Sequence, residues 1–229
     1  MLTRIHATAR IENDVQIGPR CAIWDHVHIR ARTRLGDECI VGEKTYIAYD
    51  VHIGNRVKIN AFVYICAGVQ IEDGVMVSAG TVFTNDRTPR ATTSDLTALR
   101  SSAPDEHTLL TKVRQGATIG ARSVIGPGLT IGRFAMIGMG AVVTKPVPDF
   151  HLAVGQPARS VGCVCRCGEV VMRFAGPPEE TTAVRRCSAC GSVYSIEKGR
   201  VREGGLTDAV RQIRPPSVAA APIFPHDAA

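Results

Sequence analysis

Long apolar runs and concentrated basic runs are both missing from these 229 residues. No stretch approaches the roughly 18 continuous apolar residues of a membrane-spanning helix, and the opening MLTRIHATAR has no apolar centre of a secretory leader. A cytoplasmic location without a membrane partner is the expectation. The formal charge is +6. No Lys/Arg run sits on one predicted helix or alternates with aromatic residues, which argues against a nucleic-acid polymer and for a small phosphorylated ligand. Eight cysteines in a chain with this location are read as thiols or metal ligands rather than disulfides.

What the chain does have is a period of six. From Ile5 it divides into IHATAR, IENDVQ, IGPRCA, IWDHVH, IRARTR, LGDECI, VGEKTY, IAYDVH, IGNRVK, INAFVY, ICAGVQ, IEDGVM, VSAGTV and FTNDRT, each opening on Ile, Leu, Val or Phe. The fifth place is small or moderate in size from Ala9 through Thr81. Neither a helical period of 3.6 nor simple strand alternation produces this. A unit too short to bury its own face must stack on its neighbours, the signature of a solenoid. The pattern returns at VRQGAT, IGARSV, IGPGLT, IGRFAM, IGMGAV and VTKPVP. Glycine at the second place, at Gly18, Gly36, Gly42, Gly54, Gly120, Gly126, Gly132 and Gly138, fits a corner needing tight or positive-φ backbone.

Between Thr84 and about Lys112 the repeat stops and a polar stretch with two prolines begins. A long segment without helix or strand pattern inside a compact fold is usually functional or disordered. In a solenoid it must leave the prism, where it is available to cover a neighbour. Asp86 reads equally well as a turn residue or as a group holding a ligand. Arg90 suits a phosphate or carboxylate because its planar fork matches such groups. His107 lies in this excursion, and a solvated surface histidine is the simpler reading of it.

Near the end, Cys165 and Cys167 precede Gly168, and Cys187 and Cys190 precede Gly191. Two such turns separated by two strand-like runs fit a zinc ribbon with four thiolates, the metal supplying stability that a small module cannot draw from its core. Cys163 offers an alternative first ligand, and a redox pair at Cys187 and Cys190 is the weaker option. The expected organisation is a solenoid over 1–162, a four-cysteine module over 163–200, and a disordered tail over 201–229 rich in Ala and Pro.

AIWDHVHIR (22–30), VFTNDRTPRA (82–91) and TIGRFAMIGMGAVVTKPVPDFHLAVGQPARSVG (130–162) resemble the hexapeptide-repeat nucleotide-sugar N-acetyltransferases, over roughly residues 5–162. The resemblance implies an all-β fold, a left-handed parallel β-helix with three hexads per coil, carrying a long inserted loop. It also implies a homotrimer with acetyl-CoA as co-substrate between adjacent prisms, acetylating the amine of a UDP- or dTDP-linked amino-deoxy sugar.

With three hexads per coil, residues 18 apart stack at about 4.8 Å. His28, Tyr46 and Tyr64 then form one outward column; Arg30, Ala48, Cys66 and Thr84 form the next, followed by Ala31, Tyr49, Ala67 and Asn85. The substrate wall expected is His28, Arg30, Tyr46, Tyr64, Thr84, Asp86 and Arg90. No histidine sits on FTND, so the resemblance points to Asn85 positioning the amine, with orientation against the thioester supplying much of the rate and the substrate assisting its own proton loss. Lys145 and Arg159 would meet CoA phosphates, and the backbone amides of Gly140 and Ala141 would line the pantetheine groove. One departure stands out. Cys66-Ala67-Gly68 replaces the family's Tyr-Glu-Gly, so no carboxylate lies beneath Asn85. Other readings are an acyltransferase on another small acceptor and a non-catalytic trimeric scaffold. A zinc-dependent carbonic-anhydrase-like site would need three histidines from His6, His26, His28 and His52, and that family's local motif is absent.

Overall fold

The computed structural model describes residues 2–101, 103–105 and 107–204. Nearly all strands before residue 144 are two residues long, and they form three parallel sheets, the three faces of a prism. Register follows the hexads: Arg10 pairs with His28, His28 with Tyr46, and Tyr46 with Tyr64. Each coil therefore takes three hexads. This is the stacked-coil architecture of the left-handed β-helix. Among the described residues the only helix is one 3-10 turn, Pro178–Glu180.

The first residue of each hexad points inward. Ile29, Ile47, Ile65, Ile119, Ile125 and Ile131 are all fully buried in one continuous core. In the first coil described, Ile5 is 48% exposed. The fifth place also points inward, and its polar members satisfy themselves on the next coil: Thr33 Oγ1 donates to the Ala48 carbonyl and Thr45 Oγ1 to the Asn60 carbonyl.

The corner expectation needs correcting. Positive φ falls at the fourth place, largely on charged residues such as Arg20, Arg32, Lys44 and Arg56, and the second-place glycines do not share it. They are glycine because the coils approach closely there. A Cβ on Gly42 would lie 2.6 Å from the backbone nitrogen of Ala61. Gly42→Ala is expected to destabilise the fold by about 1–3 kcal/mol through overpacking, read as a lowered melting temperature.

The excursion leaves after Val82–Phe83 and ends at the strand Thr111–Val113. It is thus shorter than expected, because Thr111 and Lys112 already pair with Val69 and Gln70. Between these strands it holds no strand among the described residues, only one isolated antiparallel bridge between Thr92 and Leu99. Its return limb packs Leu109 over the Gly128 corner and Leu110 over Gly68, so it covers its own prism.

Beyond the solenoid, His151–Gly155 and Ala158–Val164 form an antiparallel hairpin that extends one prism face, joined by Val170–Arg173. The expected boundary at 162/163 therefore falls inside a strand. A separate three-stranded sheet follows, Thr182–Arg186, Val193–Glu197 and Arg200–Glu203. Residues 201–203, assigned above to the tail, are strand; the tail from 205 lies outside the described residues. Phe134 stacks on Phe150 and Phe150 meets Tyr194 edge-on, each at 5.5 Å, and this second core fastens the cysteine module to the last coil.

Candidate active site

The predicted columns exist. His28 meets Tyr46 edge-on at 5.3 Å, and Tyr46 stacks on Tyr64 at 5.3 Å with the rings 6° from parallel. This ladder leads into a cavity of about 400 Å³ whose walls include Arg30, Tyr46, Tyr64, Cys66 and Asn85. The excursion closes the other side with Pro104, Asp105, His107 and Thr108.

Asn85 stands where the chain leaves the prism, and the limbs are joined there because its carbonyl accepts from the Leu109 amide at 2.9 Å. Its side-chain Nδ2 donates to the Ala67 carbonyl at 3.2 Å. A carbonyl can only accept, so the amide orientation is chemically determined and Oδ1 is the end turned away from Ala67. The backbone of Ala67 thus orients Asn85, and the carboxylate missing at position 67 is not required for that purpose.

Arg30 donates from Nη1 to the Tyr46 hydroxyl at 2.8 Å, and its Nε lies 2.7 Å from Glu12 Oε1. Glu12 also meets His28 Nε2 at 2.9 Å and accepts from the Ala31 amide at 3.1 Å. The Arg30 contact, followed by that of His28, lowers the Glu12 carboxyl to about 2, so it is an anion throughout the neutral range. Sequence reasoning missed Glu12, although the column signal was there: it lies 18 residues before Arg30. Tyr49 was likewise not among the wall residues expected, yet Arg30 Cζ lies 5.5 Å from its ring centroid. Burial pushes the Cys66 thiol up to about 12, so it is no thiolate nucleophile at neutral pH.

Of the other expected residues only Asp86 reaches this cavity. Thr84 turns its hydroxyl to the Ile125 carbonyl at 3.1 Å, which makes it a clip between coils. Asp86 reaches the cavity wall, but it also caps its own turn by accepting from the Thr88 amide at 2.7 Å and lies 3.8 Å from Arg100. Arg90 is exposed, and its Nη1 donates to the Pro89 carbonyl. The amides of Gly140 and Ala141 donate to the carbonyls of Ala121 and Gly138, so neither is open toward a groove. Lys145 and Arg159 do come together, on a second cavity. His151 is a buried latch: Nε2 donates to the Gly199 carbonyl at 2.7 Å and Nδ1 meets Ser160 Oγ at 2.9 Å.

Cys165, Cys167, Cys187 and Cys190 bring their four sulfurs within 4.8 Å of one another. Cys165 and Cys190 lie 3.3 Å apart, and Cys167 and Cys187 3.6 Å. Zinc with sulfur at about 2.3 Å in a tetrahedron needs sulfurs about 3.8 Å apart, so the donor set fits that ion. Cys163 is outside this group of sulfurs, buried in the core it shares with Cys165 and Cys187.

The fold and repeat together define a hexapeptide-repeat β-helix protein with a cavity at the mouth of its inserted loop. Residues 50–85 match the family model of the bacterial transferase hexapeptide (six repeats), and residues 113–145 that of the hexapeptide repeat of succinyl-transferase. The chain is 56% identical over 57 residues to a dTDP-3-amino-3,6-dideoxy-alpha-D-galactopyranose 3-N-acetyltransferase of Aneurinibacillus thermoaerophilus, covering 25% of this chain and 30% of that one. It is 49% identical over 51 residues to the serine acetyltransferase of Escherichia coli (strain K12), covering 22% and 19%. The matches thus span less than a third of these relatives. Among solved structures, AntD, an N-acyltransferase from Bacillus cereus in complex with dTDP and coenzyme A, aligns at 20% identity and TM-score 0.46 over 72% of this chain and 82% of that one. PerB from Caulobacter crescentus, in complex with CoA and GDP-perosamine, aligns at 22% and 0.41 over 71% and 58%. The hexapeptide repeat read from the sequence is borne out by the two family models, and the resemblance to nucleotide-sugar N-acetyltransferases by the 57-residue match. No helix among the described residues is long and apolar enough to cross a membrane.

Proposed function

We propose that this chain transfers an acetyl group from acetyl-CoA to the amine of a nucleotide-linked amino-deoxy sugar, working as a homotrimer with coenzyme between adjacent prisms. The observation that carries the reading is the meeting of Asn85 with the tyrosine ladder and Arg30 around one loop-covered polar cavity. The stacked tyrosines offer a flat wall to a sugar ring or base, and Asn85 Oδ1 accepts a hydrogen bond from the amine. The amine nitrogen attacks the thioester carbon, the C–N bond forms and the C–S bond breaks. The proton lost by nitrogen ends on the departing sulfur as free CoA thiol. The similarity to a dTDP-3-amino-sugar 3-N-acetyltransferase supports a nucleotide-linked acceptor. Similarity to serine acetyltransferase favours a second reading, acyl transfer to another small acceptor.

Lys145 supports an extended coenzyme along the prism, since by register it stands two coils, about 10 Å, beyond Asn85. Arg90, outside the cavity of its own chain, would serve a nucleotide phosphate in the cleft of a neighbouring protomer. The four clustered thiolates hold a structural zinc that leaves no open position for catalysis.

Thiol release with UDP- and dTDP-linked 3-amino and 4-amino sugars tests the activity. Release with one member identifies nucleotide and amine position together; CoA binding without release selects another acceptor, and no CoA binding selects a scaffold. His107 bears on the proton. It shares the cavity with Asn85, where a proton acceptor typically contributes 10²–10⁴-fold. His107→Gln is expected to retain turnover within about ten-fold if the substrate assists its own proton loss. A loss of about 100-fold or more, together with disappearance of the acid limb of the pH–rate profile, would make His107 the acceptor.

A further inference from the structure

The last coil, the hairpin after it and the cysteine module meet around a cavity of about 720 Å³. Lys145 and Arg159 line it from the solenoid end and hairpin, and Lys198 and Arg200 from the module. Glu179 is the single acidic side chain among the described lining residues. Arg20, Arg30, Arg32, Arg56 and Arg114 each lie against a carboxylate, whereas no ion pair among the described residues compensates these four cations. Positive charge gathered from three stretches of chain around one concavity raises the local concentration of an anionic ligand.

The module's share of this wall is held in place. Lys198 and Gly199 are the central residues of the turn between its last two strands, with φ of +48° and +74°, as a type I′ hairpin requires. The Gly199 carbonyl accepts from buried His151 at 2.7 Å. A Cβ on Gly199 would lie 2.9 Å from the Pro178 carbonyl carbon, so the turn tip is seated directly on the segment before it. Lys198 and Arg200 flank that seated glycine and are therefore presented from a fixed backbone.

We infer that the cysteine module is a wall of the coenzyme site, with Lys198 and Arg200 joining Lys145 and Arg159 on the phosphate-bearing end of acyl-CoA. The inference rests on the acyl-CoA reading above. It adds a binding role to a module otherwise only structural. A lysine supplies a mobile point charge and an arginine a planar fork, and two of each suit a ligand carrying a pyrophosphate and a separate 3′-phosphate.

Calorimetric titration of the full chain with CoA and with dephospho-CoA tests the wall directly. The wild type is expected to bind CoA about ten-fold more tightly, the value of one set of charge-assisted contacts, with the preference shrinking at high salt. The Lys198→Ala/Arg200→Ala variant is expected to lose most of that preference and to raise KM for acetyl-CoA. Lys58→Ala, which removes a cation from an outer face, keeps the preference. The single variants Lys198→Gln and Arg200→Gln apply the same test with less disturbance to the turn. An undiminished preference in all three turn variants overturns the inference. If the wild type shows the preference and its loss in the variants but acetylates no amino sugar, the acceptor reading fails and this one stands. Binding of neither ligand overturns both coenzyme readings.

Discussion

Asn85→Ala is expected to lower acetyl transfer by about 100-fold, the cost of misplacing a reacting group by about an ångström, while the Kd for CoA is expected to change less than about two-fold. The asymmetry follows from the site. Asn85 Nδ2 is committed to the Ala67 carbonyl at 3.2 Å, and in the proposed reaction its Oδ1 serves the acceptor amine and not the coenzyme. Asn85→Asp is the sharper companion. A carboxylate in that place faces the Ala67 carbonyl with an acceptor instead of a donor, so the side chain turns and turnover falls although size is kept. Comparing steady-state kcat for the two variants with calorimetric CoA affinity checks the prediction. Unchanged turnover in Asn85→Ala removes Asn85 from the site.

Stripping the proposed zinc is expected to have the second large effect. Freshly purified protein is expected to contain about one zinc per chain, as a closed four-thiolate site requires. Strong chelation, or Cys187→Ser with Cys190→Ser, is expected to open the module to proteases between about residues 163 and 203 while the solenoid before it stays resistant. The magnitude comes from size. A core of this extent supplies no more than about 3–5 kcal/mol, against roughly 10–16 kcal/mol for structural zinc in small domains. The Phe134–Phe150–Tyr194 aromatic series connects the module to the last coil, so loss of the module is also expected to lower the melting temperature of that end of the solenoid. If the module carries Lys198 and Arg200 to the coenzyme, chelation weakens CoA binding as well. Metal analysis and limited proteolysis decide the outcome; a metal-free protein with a resistant module removes the zinc assignment.

Much of this molecule was legible in one dimension because a hexad repeat converts sequence into surface. Once Ile, Leu or Val recurs every six residues, burial of that position dictates the prism, and a coil of three hexads dictates which residues stack. The His28–Tyr46–Tyr64 ladder and the place of Asn85 beside Ala67 follow from spacing once the resemblance supplies three hexads per coil, and the four-cysteine cluster follows from its paired turns. Their positions depend on local repeats or on short paired turns.

Tertiary structure decided the rest, where chain segments far apart in sequence meet without a repeat to relate them. The excursion has no period, so only its fold brings His107 to the wall opposite Tyr64, joined through the Asn85 carbonyl and the Leu109 amide. Hydrogen-bond partners decided which candidates are free to act: Thr84 is spent on Ile125, and the Gly140 and Ala141 amides on the neighbouring corners. Close coil contact, not backbone handedness, explained the second-place glycines. The seating of Gly199 between His151 and Pro178, which brings Lys198 and Arg200 toward Lys145 and Arg159, depends on packing between modules that neither segment encodes by itself.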